Sequence, residues 1–224
     1  MFNPDEATKK LKEKLLSEKR IGIALDIDDT LAATNEIFFK VLYEKFGNPE
    51  NLSVEEGLNK YSITHNVPYW QTDEVKKFMV DVRRSTDINI SIPPTKDSVS
   101  AIKEISKEIE CLCYLTARPE SLRKLTEEWL RKNNFPDIPV IMRPDEIDDA
   151  HITIWKGPIL EYLYPSVIGI IDDNPGFAKT VSPEYKGTLF LYNNKKIPDI
   201  HIKTLPGKTW SDVINNIKNH VTKK

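Results

Sequence analysis

Between Ile23 and Leu31 the chain reads Ile-Ala-Leu-Asp-Ile-Asp-Asp-Thr-Leu, which sets Asp26, Asp28 and Asp29 directly after an apolar run. Acids this close repel one another and are costly to desolvate. A hard cation offsets both costs, and Mg²⁺ takes oxygen ligands. A second acidic pair, Asp172-Asp173, closes the apolar run from Val167 to Ile171. If the two runs are neighbouring strands, carboxylates from both can hold one Mg²⁺, with waters and a phosphate oxygen completing its shell. Thr116 offers a hydroxyl after a third run, Cys111 to Leu115, and Pro119 suits the first position of a following helix. Free N–H groups at such a helix start attract phosphate. Lys156, in Thr153-Ile-Trp-Lys-Gly-Pro158, adds a cation ahead of the Val167 run. Each piece has a plainer reading: a solvated acidic turn, a capping Thr, a surface lysine, and Asp173 as N-cap of a helix at Phe177. A calcium loop is excluded, because Leu31 and Ile37 occupy the positions that need Gly and Glu. Asp145-Glu146 and Asp148-Asp149 read as a solvated loop.

The elements that must position these residues follow from the apolar pattern. Five runs predict buried strands: 21–25, 111–115, 138–142, 167–171 and 188–192. Near-continuous rather than alternating apolar residues indicate a parallel sheet covered on both faces. Helical periodicity lies between them at 98–108, 121–132, around Ile159-Leu160, at 177–181 and at 210–221. Strands alternating with helices make this an α/β, doubly wound, Rossmann-like parallel sheet. Asp26 then sits at the carboxyl edge of its strand, where open α/β sheets bind ligands. Residues 34–92 break the rhythm, being far longer than one crossover helix requires. Their helical stretches (37–46, 54–61, 74–84) are rich in aromatics, and Ile92-Pro93-Pro94 marks the return. This predicts a core domain of residues 1–33 and 93–224 with a small helical cap at 34–92.

With 224 residues the chain can bury a substantial core unaided, and a net charge of −2 provides no field favouring nucleic acid or a membrane. Lys223-Lys224 is too short for a polybasic arm. No apolar stretch approaches the ~20 residues a bilayer span requires. The segment from Met1 to Arg20 reads as an amphipathic helix rather than a signal peptide, so a cytoplasmic location is expected. Cys111 and Cys113, i and i+2 on a strand, are expected to share a face and read as buried structural thiols.

The ordered set D-x-D-x-T (Asp26, Asp28, Thr30), T-A-R-P from Thr116, Lys156 and D-D (Asp172, Asp173) resembles the haloacid dehalogenase superfamily. The resemblance covers nearly the whole chain from about residue 20 to the last predicted strand. It implies Asp26 as the nucleophile that forms an aspartyl-phosphate and Asp28 as general acid and base. It implies that Thr116 and the Ala117 N–H hold phosphoryl oxygens and that Lys156 neutralises nucleophile and phosphate. Mg²⁺ would be ligated by Asp26, the Asp28 carbonyl and Asp172, with Asp173 at or beside the ion. An acid two residues past the nucleophile resembles the phosphatases and phosphomutases, not the dehalogenases or ion pumps. The family often has Gly where this chain has Asp29, which adds charge to a tight turn.

An insert between the first two motifs resembles a cap that closes over small substrates. L-T-A-R-P with D-D-N-P is similar to the cytosolic 5'-nucleotidase and deoxyribonucleotidase branch. The expected partner is therefore a small-molecule phosphate ester, a nucleoside monophosphate first, hydrolysed by a Mg²⁺-dependent phosphatase. Phe39, Tyr43, Tyr69 and Trp70 could stack on a base, against the alternative that they form the insert's core. Arg83, Arg84 and Arg118 could meet a second phosphate or a sugar, against the alternative of surface ion pairs. Phosphosugar phosphatase, phosphomutase and catalytically silent interaction module stay open as rival functions. A nucleic-acid end phosphatase needs an open basic groove, which the charge and the insert argue against.

Overall fold

The computed structural model describes residues 4–147, 152–194 and 199–221. Asp148-Asp149 and Lys223-Lys224 lie outside the described residues. Six parallel strands form one sheet: β1 (Gly22–Leu25), β2 (Glu110–Pro119), β3 (Val140–Arg143), β4 (Val167–Asp172), β5 (Thr188–Tyr192) and β6 (Lys203–Gly207). Their order is β3-β2-β1-β4-β5-β6, so the winding reverses between β1 and β4. The helices flanking the sheet are α1 (Glu6–Ser17), α6 (Ser98–Glu108), α7 (Arg123–Lys132), α8 (Ile152–Leu163) and α9 (Trp210–Val221). Between β1 and β2 lie α2 (Thr34–Phe46), α3 (Val54–Tyr61), α4 (Asp73–Arg84) and α5 (Thr86–Ser91).

Both sheet faces are covered, as continuous apolar strands require. On one face Leu15 of α1 and Leu160 of α8 pack with Ala24, Leu115 and Leu189. On the other, Ile102 of α6, Trp129 of α7 and Ile217 of α9 pack with Ile23, Leu25 and Phe190. The insert has a cluster of its own, in which Phe38, Phe39 and Leu42 of α2 meet Val67, Trp70, Val75, Met79 and Val82. Its two connections to the sheet run side by side. Ala32 and Pro94 form an isolated antiparallel bridge, and the Ala33 N–H donates to the Pro93 carbonyl at 2.9 Å.

Several elements differ from the sequence pattern. β6 is unanticipated; Lys-Thr-Leu-Pro-Gly has neither an apolar run nor alternation, and its Pro206 is tolerated because the strand is an edge. Pro119 ends β2 instead of opening a helix; a 3₁₀ turn, Glu120–Leu122, intervenes before α7. The segment at Phe177 is a 3₁₀ helix, Pro175–Thr180, capped by Asn174 accepting from the Gly176 N–H at 2.8 Å, so Asp173 is not its cap. The two free thiols are buried but on opposite faces, Cys111 beside Tyr114 and Cys113 beside Leu112. The cause is a register shift: Ile23 pairs with Cys111 and Ala24 with Cys113, so Leu112 is an extra residue that flips the alternation.

Candidate active site

The reversal of strand order places the ends of β1 and β4 side by side. Leu25 pairs with Ile171, and the Asp26 N–H donates to the Ile171 carbonyl at 2.9 Å. Asp26 and Asp172 therefore leave adjacent strands at the same carboxyl edge. Lys156, on α8, reaches between them: its Nζ lies 2.5 Å from Asp26 Oδ1 and 2.7 Å from Asp172 Oδ2. All three side chains are buried, at 7% exposure or less. Gly157 makes this approach possible. A Cβ there would lie 2.2 Å from Thr180 Oγ1 and 2.8 Å from the Phe177 carbonyl, so α8 packs against the segment following β4 without a side chain in the way. Lys156 lies within α8, which begins at Ile152, ahead of the helical pattern read around Ile159-Leu160.

Asp173 is fixed by Thr30, which donates its hydroxyl to Asp173 Oδ1 at 3.1 Å and lies 3.0 Å from the Asp173 N–H. Asp172 Oδ1 meanwhile accepts the Asn174 N–H at 2.8 Å. Asp26, Asp172 and Asp173 can each bring a carboxylate oxygen within 4.8 Å of the others. Burial, with Asp172 and Asp28 nearby, pushes the Asp26 carboxyl above its ordinary range despite Lys156. Burial and the charges of Asp29, Asp172 and Asp26 do the same to Asp173. Burial opposes charge on Lys156, yet Asp172 and Asp26 outweigh it and hold the ammonium above its usual range. One lysine thus faces three carboxyls in a low-dielectric site. An all-oxygen donor set in excess of its local positive charge fits a hard divalent cation such as Mg²⁺.

Asp28 points elsewhere than the other acids. Arg118 Nε lies 2.9 Å from Asp28 Oδ2, Nη2 lies 2.8 Å from Oδ1, and the Thr34 hydroxyl donates to Oδ1 at 2.6 Å. Burial would raise the Asp28 carboxyl, but Arg118 outweighs it and holds it below the usual carboxylate range. Asp29 adopts a left-handed φ of 61°, the conformation a glycine would take without cost. Its carboxylate accepts the Asn35 N–H at 2.8 Å and the Asn35 side-chain amide. The first two residues of α2 therefore grip both loop acids.

Arg118, expected at a surface ion pair or on a substrate anion, is buried with its guanidinium on Asp28. Thr116 is fully buried two residues beyond Tyr114, which sits level with Leu25; it thus lies at the same carboxyl edge as Asp26, and its Oγ1 accepts the Arg118 N–H at 3.2 Å. The β2–β3 ladder skips Ala117 and Arg118, pairing Thr116 with Met142 and then Pro119 with Arg143. Buried Arg143, which sequence reasoning passed over, braces that bulge by donating from Nε to the Ala117 carbonyl at 2.8 Å.

The insert's aromatics pack on one another. Trp70 is buried with ring centroids 5.3 Å from Phe39 and from Tyr43 and 5.4 Å from Tyr69. Half-buried Tyr43 directs its hydroxyl at Gly57, where a Cβ would stand 2.3 Å away. Arg83 Nη2 lies 3.2 Å from His65 Nε2, and Arg84 is exposed. Asp145 and Glu146 are exposed, with Asp145 accepting the Ser121 hydroxyl at 2.7 Å.

No protein-family model matches the chain. It is similar to a protein of Oceanobacillus iheyensis named a putative nucleotidase, 28% identical over 160 residues, covering 70% of this chain and 79% of that one. It is also similar to a Bacillus cereus protein of the same name, 27% identical over 111 residues, covering 50% of this chain and 58% of the relative. Among the described residues no helix is long and apolar enough to cross a membrane. The chain is thus an α/β protein with a six-stranded parallel sheet, weakly similar to proteins named as nucleotidases.

Proposed function

We propose that the chain is a Mg²⁺-dependent phosphatase of the haloacid dehalogenase type acting on a small phosphomonoester, a nucleoside monophosphate first. The observation that carries the reading is the Asp26–Lys156–Asp172 cluster at the point where the strand order reverses. The names of the two similar proteins favour a nucleotide over a phosphosugar.

In this reading an Asp26 oxygen attacks phosphorus, the bond to the ester oxygen breaks, and that oxygen takes a proton from solvent. Water then attacks the aspartyl-phosphate, the acyl-phosphate P–O bond breaks, and the water's proton passes to a carboxylate. Lys156 holds Asp26 in position and balances its charge against the incoming phosphate. Asp26, Asp172, Asp173 and the Asp28 carbonyl are the groups that would hold Mg²⁺. Bound there, Mg²⁺ would offset phosphoryl charge and let anion and carboxylates coexist. Thr116 and the Ala117 N–H would take the remaining phosphoryl oxygens. Of the two roles the resemblance assigns to Asp28, accepting the water's proton is the one its contact with Arg118 favours. The helical insert serves as a cap whose first turn, Thr34-Asn35, reaches the catalytic loop.

The test is phosphate release, with and without Mg²⁺, across nucleoside monophosphates, phosphosugars and p-nitrophenyl phosphate. Mg²⁺-dependent turnover that Asp26→Asn abolishes while the variant keeps its fold is the expected result. Activity retained in Asp26→Asn would refute the nucleophile, and no turnover on any ester would favour a silent interaction module.

A further inference from the structure

Asp28 Oδ1 and Oδ2 both face the Arg118 guanidinium, and that guanidinium has little freedom. It is buried, it extends from a strand, and its Cζ lies 5.7 Å from the centre of the Trp129 ring. Trp129 is itself pinned, donating Nε1–H to the Ile92 carbonyl at 2.7 Å. Ile92 leads out of the insert and Thr34 leads into it, so Asp28 is held between the insert's two connections: by Thr34 directly, and through Arg118 and Trp129 to Ile92. A planar fork fixes both oxygens of a carboxylate, which an ammonium cannot do.

We propose that Arg118 is a positioning residue that aims the Asp28 carboxylate at the water attacking the aspartyl-phosphate, rather than a ligand for substrate. The assignment rests on the phosphatase reading. In the step it serves, the water oxygen bonds to phosphorus, the P–O bond to Asp26 breaks, and the water's proton goes to Asp28. Misaiming Asp28 therefore slows breakdown of the intermediate more than its formation.

Rapid-quench and steady-state kinetics with Mg²⁺ and p-nitrophenyl phosphate test this on Arg118→Lys and Arg118→Gln, after thermal melts identify which variant folds. The expected result is a fall in kcat of at least about tenfold, the low end for general acid–base steps. KM should fall in parallel, leaving kcat/KM within about twofold of the parent. A burst of p-nitrophenol stoichiometric with enzyme should appear with no matching burst of phosphate. In an Asp28→Asn background the same Arg118 changes should cost little more, because the carboxylate they aim is already gone. A raised KM with kcat unchanged would overturn the assignment in favour of substrate binding. Loss of kcat/KM without a burst, or a cost fully additive with Asp28→Asn, would overturn it too. Asp26→Asn, measured alongside, separates the two levels. An inactive Asp26→Asn confines any failure to Arg118, whereas an active one removes the reading beneath it.

Discussion

Replacing Lys156 with Met removes the ammonium between Asp26 and Asp172 and keeps the bulk of the side chain. The Nζ contacts are 2.5 and 2.7 Å, and none of the three side chains exceeds 7% exposure, so water cannot replace the lost charge. Breaking such a pair by deleting one partner costs about 3–5 kcal/mol, because a buried charge is left uncompensated. For a chain of this size each kcal/mol moves the melting temperature by about 2–4 °C, so a fall of about 6–20 °C is expected at neutral pH. Melts followed by circular dichroism, in EDTA and in excess Mg²⁺, provide the assay. Mg²⁺ should raise the variant's Tm more than the parent's, since the freed carboxylates bind the cation without competition from Lys156. Adding Asp172→Asn should restore part of the loss by removing one of the two stranded charges. A Tm within about 2 °C of the parent in EDTA would refute the argument, because it would mean that Lys156 balances no buried charge.

Thr30→Val strips Asp173 of its hydroxyl partner at 3.1 Å; we expect a stability loss of about 1–3 kcal/mol and Mg²⁺ binding about tenfold weaker by calorimetry. Gly157→Ala should destabilise by about 1–3 kcal/mol despite alanine's better helix propensity, because its Cβ would stand 2.8 Å from a backbone carbonyl; a higher Tm would contradict this. Trp70→Phe removes a buried Nε1–H that has no hydrogen-bond partner among the described residues but leaves a gap among Phe39, Tyr43 and Tyr69, so a stability loss of about 1–3 kcal/mol is expected. If Trp70 belongs to the insert's core alone, kcat/KM on a nucleoside monophosphate stays level in that variant. A tenfold drop in a variant that keeps its fold by circular dichroism would instead put the indole in contact with substrate.

What the sequence reveals here depends on how local the deciding interaction is. β1 and β4 are legible because buried parallel strands are apolar throughout, and an acid at the end of such a run stands out. That legibility extends to Asp26 and Asp172. Lys156 is legible by type but not by element, since the helical pattern is read only around Ile159-Leu160, whereas α8 spans Ile152–Leu163. β6 is hidden because an edge strand needs no apolar run. The partner of Arg118 is hidden for a different reason: it stands 90 residues away, and only the pairing of β1 with β2 brings the two together. The flip of Cys113 arises from a single extra residue in a ladder, which no periodicity count detects.

The bridge between Ala32 and Pro94 has a consequence for how such a chain can change. Because the two connections of residues 34–92 are already hydrogen-bonded to each other, whatever is spliced between them inherits a closed doorway and adds little loop-closure cost to the sheet. A graft of different length or shape could therefore alter which molecules reach the edge without redrawing the strands beneath. Thr34 and Asn35 set the limit of that freedom: a transplant cut before them would leave the acidic loop without its grip, and one cut after them would not.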